Sequence, residues 1–428
     1  METCNKVEKY DNGHAAVKLT LLCVILYACS YLCRKSFDSN INELMRFYSV
    51  SKSSVGLIGT FFFVAYAVGQ VFHGIMCKRY NARYMVFTMA VAVVILNVLM
   101  GIMPVSGFVY LKYLWLLNGF ISASFLSMII TVLHKYTANK YKKFVLFAFT
   151  TPVVAGTFII YGLSSLTSYL GMFKLTFYIA GGAFLTVATI WLLFSDGLIK
   201  RCEEERDLFD SDNTETQNDR INVRTERKVN KSVFLLVVVF ALFAVVLMLV
   251  RDGINTWLPT ILKEKYGLEN WISVLLTMIL PIASFLGYIL SLRLNERINN
   301  YLIECGLLFV FATVFLLINV LCFNLNIWLI TFISLLLSSC MMAGMNNIIT
   351  NVFPLCCDKN VNAGMLSGIL DGCCYIGSAI SSYGIGSISD KFNDWSIVFW
   401  IFLIASAVCS MISFYLAIRR KRKVNSKD

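Results

Sequence analysis

Charge is what this chain has least of. Aspartate, glutamate, lysine and arginine together make up 14% of its 428 residues, where soluble domains carry about 25%. Such a chain cannot solvate the surface of globular domains of that total length, so most of it belongs in lipid. Other signatures are missing too. Fourteen cysteines are present, but no C-x-x-C pair. Cys23, Cys29, Cys33, Cys305, Cys322, Cys340, Cys373, Cys374 and Cys409 lie inside apolar runs, which reads as small, polarizable packing residues rather than redox or metal chemistry. There is no glycine-rich phosphate-cradling loop with its lysine, no cluster of metal ligands and no nucleophile beside a base. Of three histidines, His73 and His134 sit near the ends of apolar runs and need no catalytic role. Enzymatic activity therefore has no support, and neither cofactor nor metal is expected. The start, METCNKVEKYDNGH, is polar, and no small-residue cleavage site follows the first apolar run. Residues 18 onward are thus expected to be a retained helix and not a secretory signal.

What is abundant fits a polytopic membrane protein. Hydrophobic residues make up 58% of the chain, with 33 Phe and 20 Tyr, and the mean hydropathy is +0.71. Crossing the hydrocarbon takes about 20 apolar residues in a helix. Candidate spans fall at 18–43, 53–77, 84–104, 109–133, 143–169 and 174–198, then at 232–262, 269–292, 300–322, 326–352, 360–387 and 395–418. These form two six-helix halves, 18–198 and 232–418. Residues 1–17 form a polar tail and 199–231 a charged linker of mixed sign without apolar periodicity. Residues 419–428 form a basic tail.

The net charge of +12 is explained by orientation. With the N-terminus inside, the inner connections hold Lys78, Arg79, Arg83, Lys135, Lys140, Lys142, Lys143, Arg293, Arg297 and Lys359, besides the basic tail. The outer ones hold only Arg46, Lys52, Lys174, Lys263, Lys265 and Lys391. This asymmetry places both termini and the linker in the cytoplasm, and RRKRK reads as an anchor near anionic lipid rather than a nucleic-acid patch.

Polar residues inside the spans are the functional candidates. In YACSYLCRKSF, the residues Tyr27, Tyr31, Arg34 and Asp38 are spaced by four, three and four, which aligns them on one helix face. A guanidinium flanked by phenols suits an oxyanion. Snorkelling to the interface is the alternative, but the apolar run before Arg34 is too short to span by itself. Lys35 lies about 100° further round and is a candidate site contact or salt-bridge partner. In the seventh span Arg251 and Asn255 form a comparable stripe, although Arg251 could equally close the span; Asp252 could neutralise it or pair across the bundle. The eleventh span carries Asp371, Tyr375, Ser378 and Ser382 on one stripe. Asp371 could neutralise Lys35, take a proton, or meet a cationic group of a substrate. Gln70 and Tyr66 in the second span, Asn346, Asn347 and Asn351 in the tenth, and Thr150, Thr157 and Tyr161 in the fifth are further candidates for ligand or interhelical contact. Pro152 is expected to kink the fifth span.

Two sets of six spans joined by a cytosolic linker resemble the plan of the major facilitator superfamily, in which two similar halves rock around a midplane site. More specifically, YACSYLCRKSF resembles the tyrosine-rich segment ending in Arg-Lys-Asn-Phe of the organophosphate:phosphate antiporter family. LVRDGINTWLPTIL is similar to its Arg-Tyr-Gly-Ile stretch followed by Trp and Pro-Thr, and NAGMLSGILDGCCYIGS to its Ala-Gly-rich segment with a Gly-Tyr pair. GLIGTFFFVAYAVGQVFHG is a weaker match. The resemblance, to bacterial glycerol-3-phosphate and hexose-phosphate transporters among others, implies that Arg34 and Arg251 bind phosphate, one from each half, with Tyr27, Tyr31 and Tyr375 lining the cavity. The sequence departs from that pattern at Gln70 and Pro152, which stand where the glycerol-3-phosphate carrier has a lysine and a histidine. FLSMII replaces a Trp-Pro-Pro segment, and Lys78 replaces an aspartate. These departures put glycerol-3-phosphate itself in doubt, and Asp252 and Asp371 suit a substrate with an amine or proton coupling.

The expectation is an all-α carrier of twelve transmembrane helices that exchanges an organic phosphate ester for inorganic phosphate in the bacterial cell membrane. It would act as a monomer, with lipid and a small anion as its partners and no nucleic acid. The alternatives are a transport-like receptor for such an anion, or a proton-coupled carrier for another anion or a drug.

Overall fold

The computed structural model describes residues 14–76, 81–141, 144–145, 148, 151–210, 231–298, 300–356 and 363–425. Most of the N-terminal tail and linker, together with Lys78, Arg79, Lys142, Lys143, Thr150 and Lys359, lie outside the described residues. Every predicted span meets a helical segment. The first half comprises α1 (His14–Ser39), the short α2 (Ile41–Tyr48), α3 (Lys52–Met76), α4 (Ala82–Ile102), α5 (Phe108–Tyr136), α6 (Thr151–Tyr169) and α7 (Leu175–Asp210). The second comprises α8 (Lys231–Tyr266), α9 (Asn270–Thr277), α10 (Leu280–Ile298), α11 (Tyr301–Asn324), α12 (Trp328–Asn347), α13 (Phe353–Cys356), α14 (Ala363–Ile380), α15 (Gly386–Phe392) and α16 (Ser396–Asn425). Ten of the described helical stretches are long and apolar enough to cross a membrane. The remaining two predicted spans correspond to α6 and to α14 with α15.

The helices break where backbone chemistry requires it. The first span was expected to reach residue 43, but α1 stops at Ser39. There the Asn40 amide turns back to the Phe37 carbonyl at 3.0 Å and the Asn40 side chain donates to the Ser36 carbonyl at 2.8 Å. The eighth span is split between α9 and α10 just before Pro281, which has no N–H to offer Thr277 and crowds its carbonyl. Ahead of Pro354, residues Ile348–Val352 widen into a π turn, a usual accommodation of a missing donor. The kink expected at Pro152 would involve the turn before it, where residues 146–147 and 149–150 lie outside the described residues; α6 as described starts at Thr151. In the last predicted span of the first half, α7 runs on through the start of the predicted linker to Asp210. Cys202 and Glu205 of that extension are buried, and Glu205 accepts the backbone N–H of Ala15 at 3.4 Å.

Packing in one half is repeated in the other. In the first, α1 lies against α6, α3 against α5, and α4 against α7; in the second, α8 lies against α14, α10 against α12, and α11 against α16. Small residues set these approaches, as expected where lipid gives no hydrophobic drive. A Cβ on Gly156 of α6 would stand 2.4 Å from the Ala28 carbonyl of α1, and one on Gly377 of α14 would stand 2.3 Å from the Val245 carbonyl of α8. Apolar faces turn outward: α3 exposes Val64, Val68, Val71 and Ile75 while burying Phe62, Tyr66 and His73.

The halves are latched at the end away from the chain termini. Lys52 at the start of α3 pairs with Glu264 at 3.1 Å and Asp390 at 3.8 Å, and Asp390 also accepts the Ser53 N–H at 2.7 Å. Beside this latch, Thr260 donates to Asn42 at 2.7 Å, Asn42 to Asn270 at 2.8 Å, and Asn270 to Glu43 at 2.8 Å. Ser382 of the second π turn donates to the Gly56 carbonyl at 2.8 Å.

Candidate functional site

Arg34 sits three-quarters along α1, half-buried, in an aromatic cage. Its guanidinium carbon lies 4.1 Å from the centre of the Tyr66 ring, 5.1 Å from Tyr31, 5.6 Å from Phe62 and 5.9 Å from Tyr375. Its Nη1 donates to the Tyr31 hydroxyl at 3.2 Å. Tyr27 packs edge-on against Tyr31 with centroids 5.3 Å apart and hydrogen-bonds it. Desolvated cation–π contacts contribute about 2 kcal/mol, so the cage holds the cation without a carboxylate. Tyr375 reaches the cage from the opposite half and meets Tyr66 at 4.7 Å between centroids.

Arg251 is the counterpart on α8. It is hydrogen-bonded to Tyr288 of α10 and interacts electrostatically with Asp252 and with Tyr31. Tyr31 is therefore shared: it accepts from Arg34 and also feels Arg251. Among the described residues neither arginine belongs to an ion pair, and the buried Nε of each has no acceptor. Asn255, one turn on, is tied down: its carbonyl accepts from Tyr161 of the other half at 3.2 Å, and its side-chain oxygen accepts from Ser339 at 3.4 Å. Asp252 accepts a hydrogen bond from Ser378 of α14, so it pairs across the bundle.

Asp371 of α14 is hydrogen-bonded by Gln70 of α3 and feels the charge of Arg34. It does not neutralise Lys35, because the ammonium of Lys35 is held by Asp38 at 2.6 Å. The arrangement thus gathers Arg34, Arg251, Tyr27, Tyr31, Tyr375, Asp371 and Gln70, while Lys35 and Asp38 satisfy one another and Asn255 is engaged with Tyr161 and Ser339. Of the tenth-span asparagines, Asn346 and Asn347 make interhelical contacts and Asn351 bonds within its own span. Asn347 donates to Ser291 of α10 at 2.9 Å, Asn351 donates to Asn347 at 3.0 Å, and Asn346 accepts from Cys374 at 3.5 Å. Reasoning from sequence did not find Phe62 or Tyr288. Tyr288 had a signal: it lies in the eighth span, the counterpart of the second, which supplies Tyr66.

Two guanidiniums from opposite halves, both interacting with Tyr31 and each with a buried Nε–H that lacks an acceptor, offer planar donors to an anion with several oxygens.

A family model described as the Major Facilitator Superfamily matches residues 23–355. The chain is 35% identical over 94 residues to the membrane sensor protein UhpC of Escherichia coli (strain K12), covering 22% of this chain and 21% of that protein. UhpC of Salmonella typhimurium matches at 33% over 94 residues. The matched stretch spans about a fifth of these relatives' length. Among solved structures, the partially occluded inward-open xylose transporter XylE from E. coli superposes with a TM-score of 0.72, at 10% identity, over 94% of this chain and 98% of that one. A bacterial homolog of the human lysosomal transporter Spinster, inward-facing and unoccupied, gives a TM-score of 0.71 at 13% identity over 93% and 97% of the two chains. At such identities the likeness is one of fold.

Proposed function

Because the chain belongs to the major facilitator superfamily and is a membrane transporter rather than an enzyme, we propose that it exchanges an organic phosphate ester, of a sugar or polyol, for inorganic phosphate by alternating access. The observation that carries this reading is the pair Arg34 and Arg251. They come from corresponding spans of the two halves, share Tyr31, and are without a carboxylate in ion-pair contact among the described residues. A cation without a counter-charge, half-buried among membrane helices, is costly, so a carrier with two of them crosses its barrier more readily loaded than empty, which favours exchange over uniport. With both termini cytoplasmic, the latch at Lys52, Glu264 and Asp390 closes the outer end, and the site is reached from inside. The bacterial cell membrane and a monomeric carrier complete the reading.

The test is counterflow. Proteoliposomes loaded with inorganic phosphate should take up a labelled sugar or polyol phosphate, and unloaded ones should not. Uptake that needs no internal anion would sink exchange, and failure to bind any phosphate ester would sink the substrate class. A second reading is favoured by one observation, the similarity to a membrane sensor protein: a transport-like receptor for the same anion. Saturable phosphate-ester binding without counterflow would select it.

A further inference from the structure

The anion site does not use every charge that the two halves bring together. Between α3 and α14 the structure builds two adjacent rungs. One is Tyr66 against Tyr375, carrying Arg34 on the Tyr66 face. The other, one helical turn nearer the chain termini on both helices, is Gln70 hydrogen-bonded to Asp371. Four residues at 1.5 Å each separate the rungs by about 6 Å along the axis.

The Asp371 carboxylate is within the electrostatic reach of Arg34, yet no lysine or arginine nitrogen among the described residues comes within ion-pair distance of it. Lys35 is held by Asp38, and Arg34 is directed to Tyr31 and the Tyr66 face. The other carboxylate of the cavity, Asp252, accepts from Ser378 and neighbours Arg251. A charged group enclosed among helices needs a countercharge. A dianionic phosphate on the two arginines would satisfy them, and would leave Asp371 as an unmatched like charge about one turn away. An ester whose far end carries an ammonium removes that conflict, since the phosphate meets the arginines and the amine meets Asp371.

We propose that Asp371, oriented by Gln70, is a cation subsite that makes a phosphate ester bearing a protonated amine, an amino sugar phosphate or an aminoalkyl phosphate, the preferred organic substrate. This rests on the phosphate-exchange reading of the same site and narrows its substrate class.

The test uses the purified full-length chain and matched competitors against labelled inorganic phosphate: glucosamine 6-phosphate with glucose 6-phosphate, and phosphoethanolamine with 2-hydroxyethyl phosphate. The amino member of one pair should compete at least about tenfold better than its neutral mate, the low end of a close charge pair. Asp371→Asn should act with two signs: amino esters weaken while inorganic phosphate and neutral esters tighten, because a like charge has gone. A merely misfolded variant would weaken all of them together, and the conservative Asp371→Glu should restore the amino preference. Equal competition by both members of each pair, or an amino preference that survives Asp371→Asn, overturns the subsite and leaves phosphate exchange standing. If Asp371 instead only carries a proton, its asparagine variant changes the pH dependence of counterflow and not the amino-to-neutral ratio, which also overturns the subsite. If neither inorganic phosphate nor any ester binds, the exchange reading falls, and the subsite with it.

Discussion

The two halves present the same charged group in different settings. On α1, Arg34 is held by ring faces, those of Tyr31, Phe62 and Tyr66 from its own half and Tyr375 from the other. On α8, Arg251 is held by a hydroxyl, that of Tyr288, with Asp252 adjacent in sequence. The second span of each half supplies a tyrosine, but Tyr66 offers its π face and Tyr288 its oxygen. A ring face steadies a cation without using up its N–H donors, whereas a hydroxyl engages at least one of them. Arg34 also donates to a hydroxyl, that of Tyr31 at 3.2 Å, so among the described residues the two arginines differ in the ring faces that enclose Arg34 and not in whether a phenol oxygen engages them.

The largest effect that would break this comparison is removal of either planar fork. Arg34→Lys and Arg251→Lys each keep the charge and lose bidentate geometry. Each should weaken phosphate-ester binding about 100-fold, ~2.7 kcal/mol, the scale of truncating one partner of a buried charged contact. Isothermal titration of the purified protein reads this directly. Near-normal affinity in both variants would remove the arginines from the site and point to a carrier of some other anion or drug.

A second effect concerns the scaffold and should be alike in the two halves. Gly156→Ala and Gly377→Ala each place a Cβ within 2.4 Å of a backbone carbonyl on the first span of its half. Neither carbonyl can swing aside as a side-chain tip would, so the helices must separate. Each substitution should cost about 1–3 kcal/mol, as overpacking does, and should lower the thermal midpoint in detergent. A loss confined to one half would show that the repeat in packing does not extend to its energetics.

Much of this was legible in the sequence. The length and spacing of the apolar runs foretold the helices, and the spacing of Tyr27, Tyr31 and Arg34 placed them on one stripe because helical periodicity is local information. Breaks at Pro281 and Pro354 could be read from proline chemistry alone. The π turn at Ser381–Ile385 could not, since it forms where Ser382 meets the Gly56 carbonyl from the other half. The extension of α7 to Asp210 was hidden for a similar reason: RCEEERDLFD is polar and reads as solvated, yet Cys202 and Glu205 are buried against the bundle. At the site, the pairing of Lys35 with Asp38 was within reach as an i,i+3 contact. The ring faces of Phe62 and Tyr66 and the hydroxyl of Tyr288 depend on how α3 and α10 are rotated, which apolar patterning fixes poorly when every face is hydrophobic.

The difference between ring and hydroxyl yields a sharper, smaller prediction. Tyr288→Phe removes a hydrogen bond to a charged group and should weaken ligand binding about tenfold, at the low end of ~1.5–3 kcal/mol for such bonds. Tyr66→Phe keeps the face under Arg34 and should change affinity less than about threefold, because cation–π attraction resides in the ring. Reversed magnitudes would mean that the two arginines are held in the same way after all.

The smallest effect lies where the halves meet. Asp390 does two things at the latch: it accepts the Lys52 and Ser53 N–H groups at 3.3 and 2.7 Å, capping α3 from the opposite half, and it lies 3.8 Å from the Lys52 ammonium. The ion pair is partly open to solvent and contributes little. The cap contributes about 1 kcal/mol, which is about fivefold in a two-state equilibrium. Asp390→Asn keeps an acceptor for one amide and loses the charge, so it should raise the population with this end open by less than that. Asp390→Ala loses both and should approach fivefold. Spin labels at Arg46 and Lys391, one on each side of the seam, would report the opening as a longer distance component. The same distances in wild type and Asp390→Ala would show that the Thr260–Asn42–Asn270–Glu43 chain keeps this end shut without Asp390, and that the Lys52–Asp390 contact is a consequence of closure rather than one of its causes.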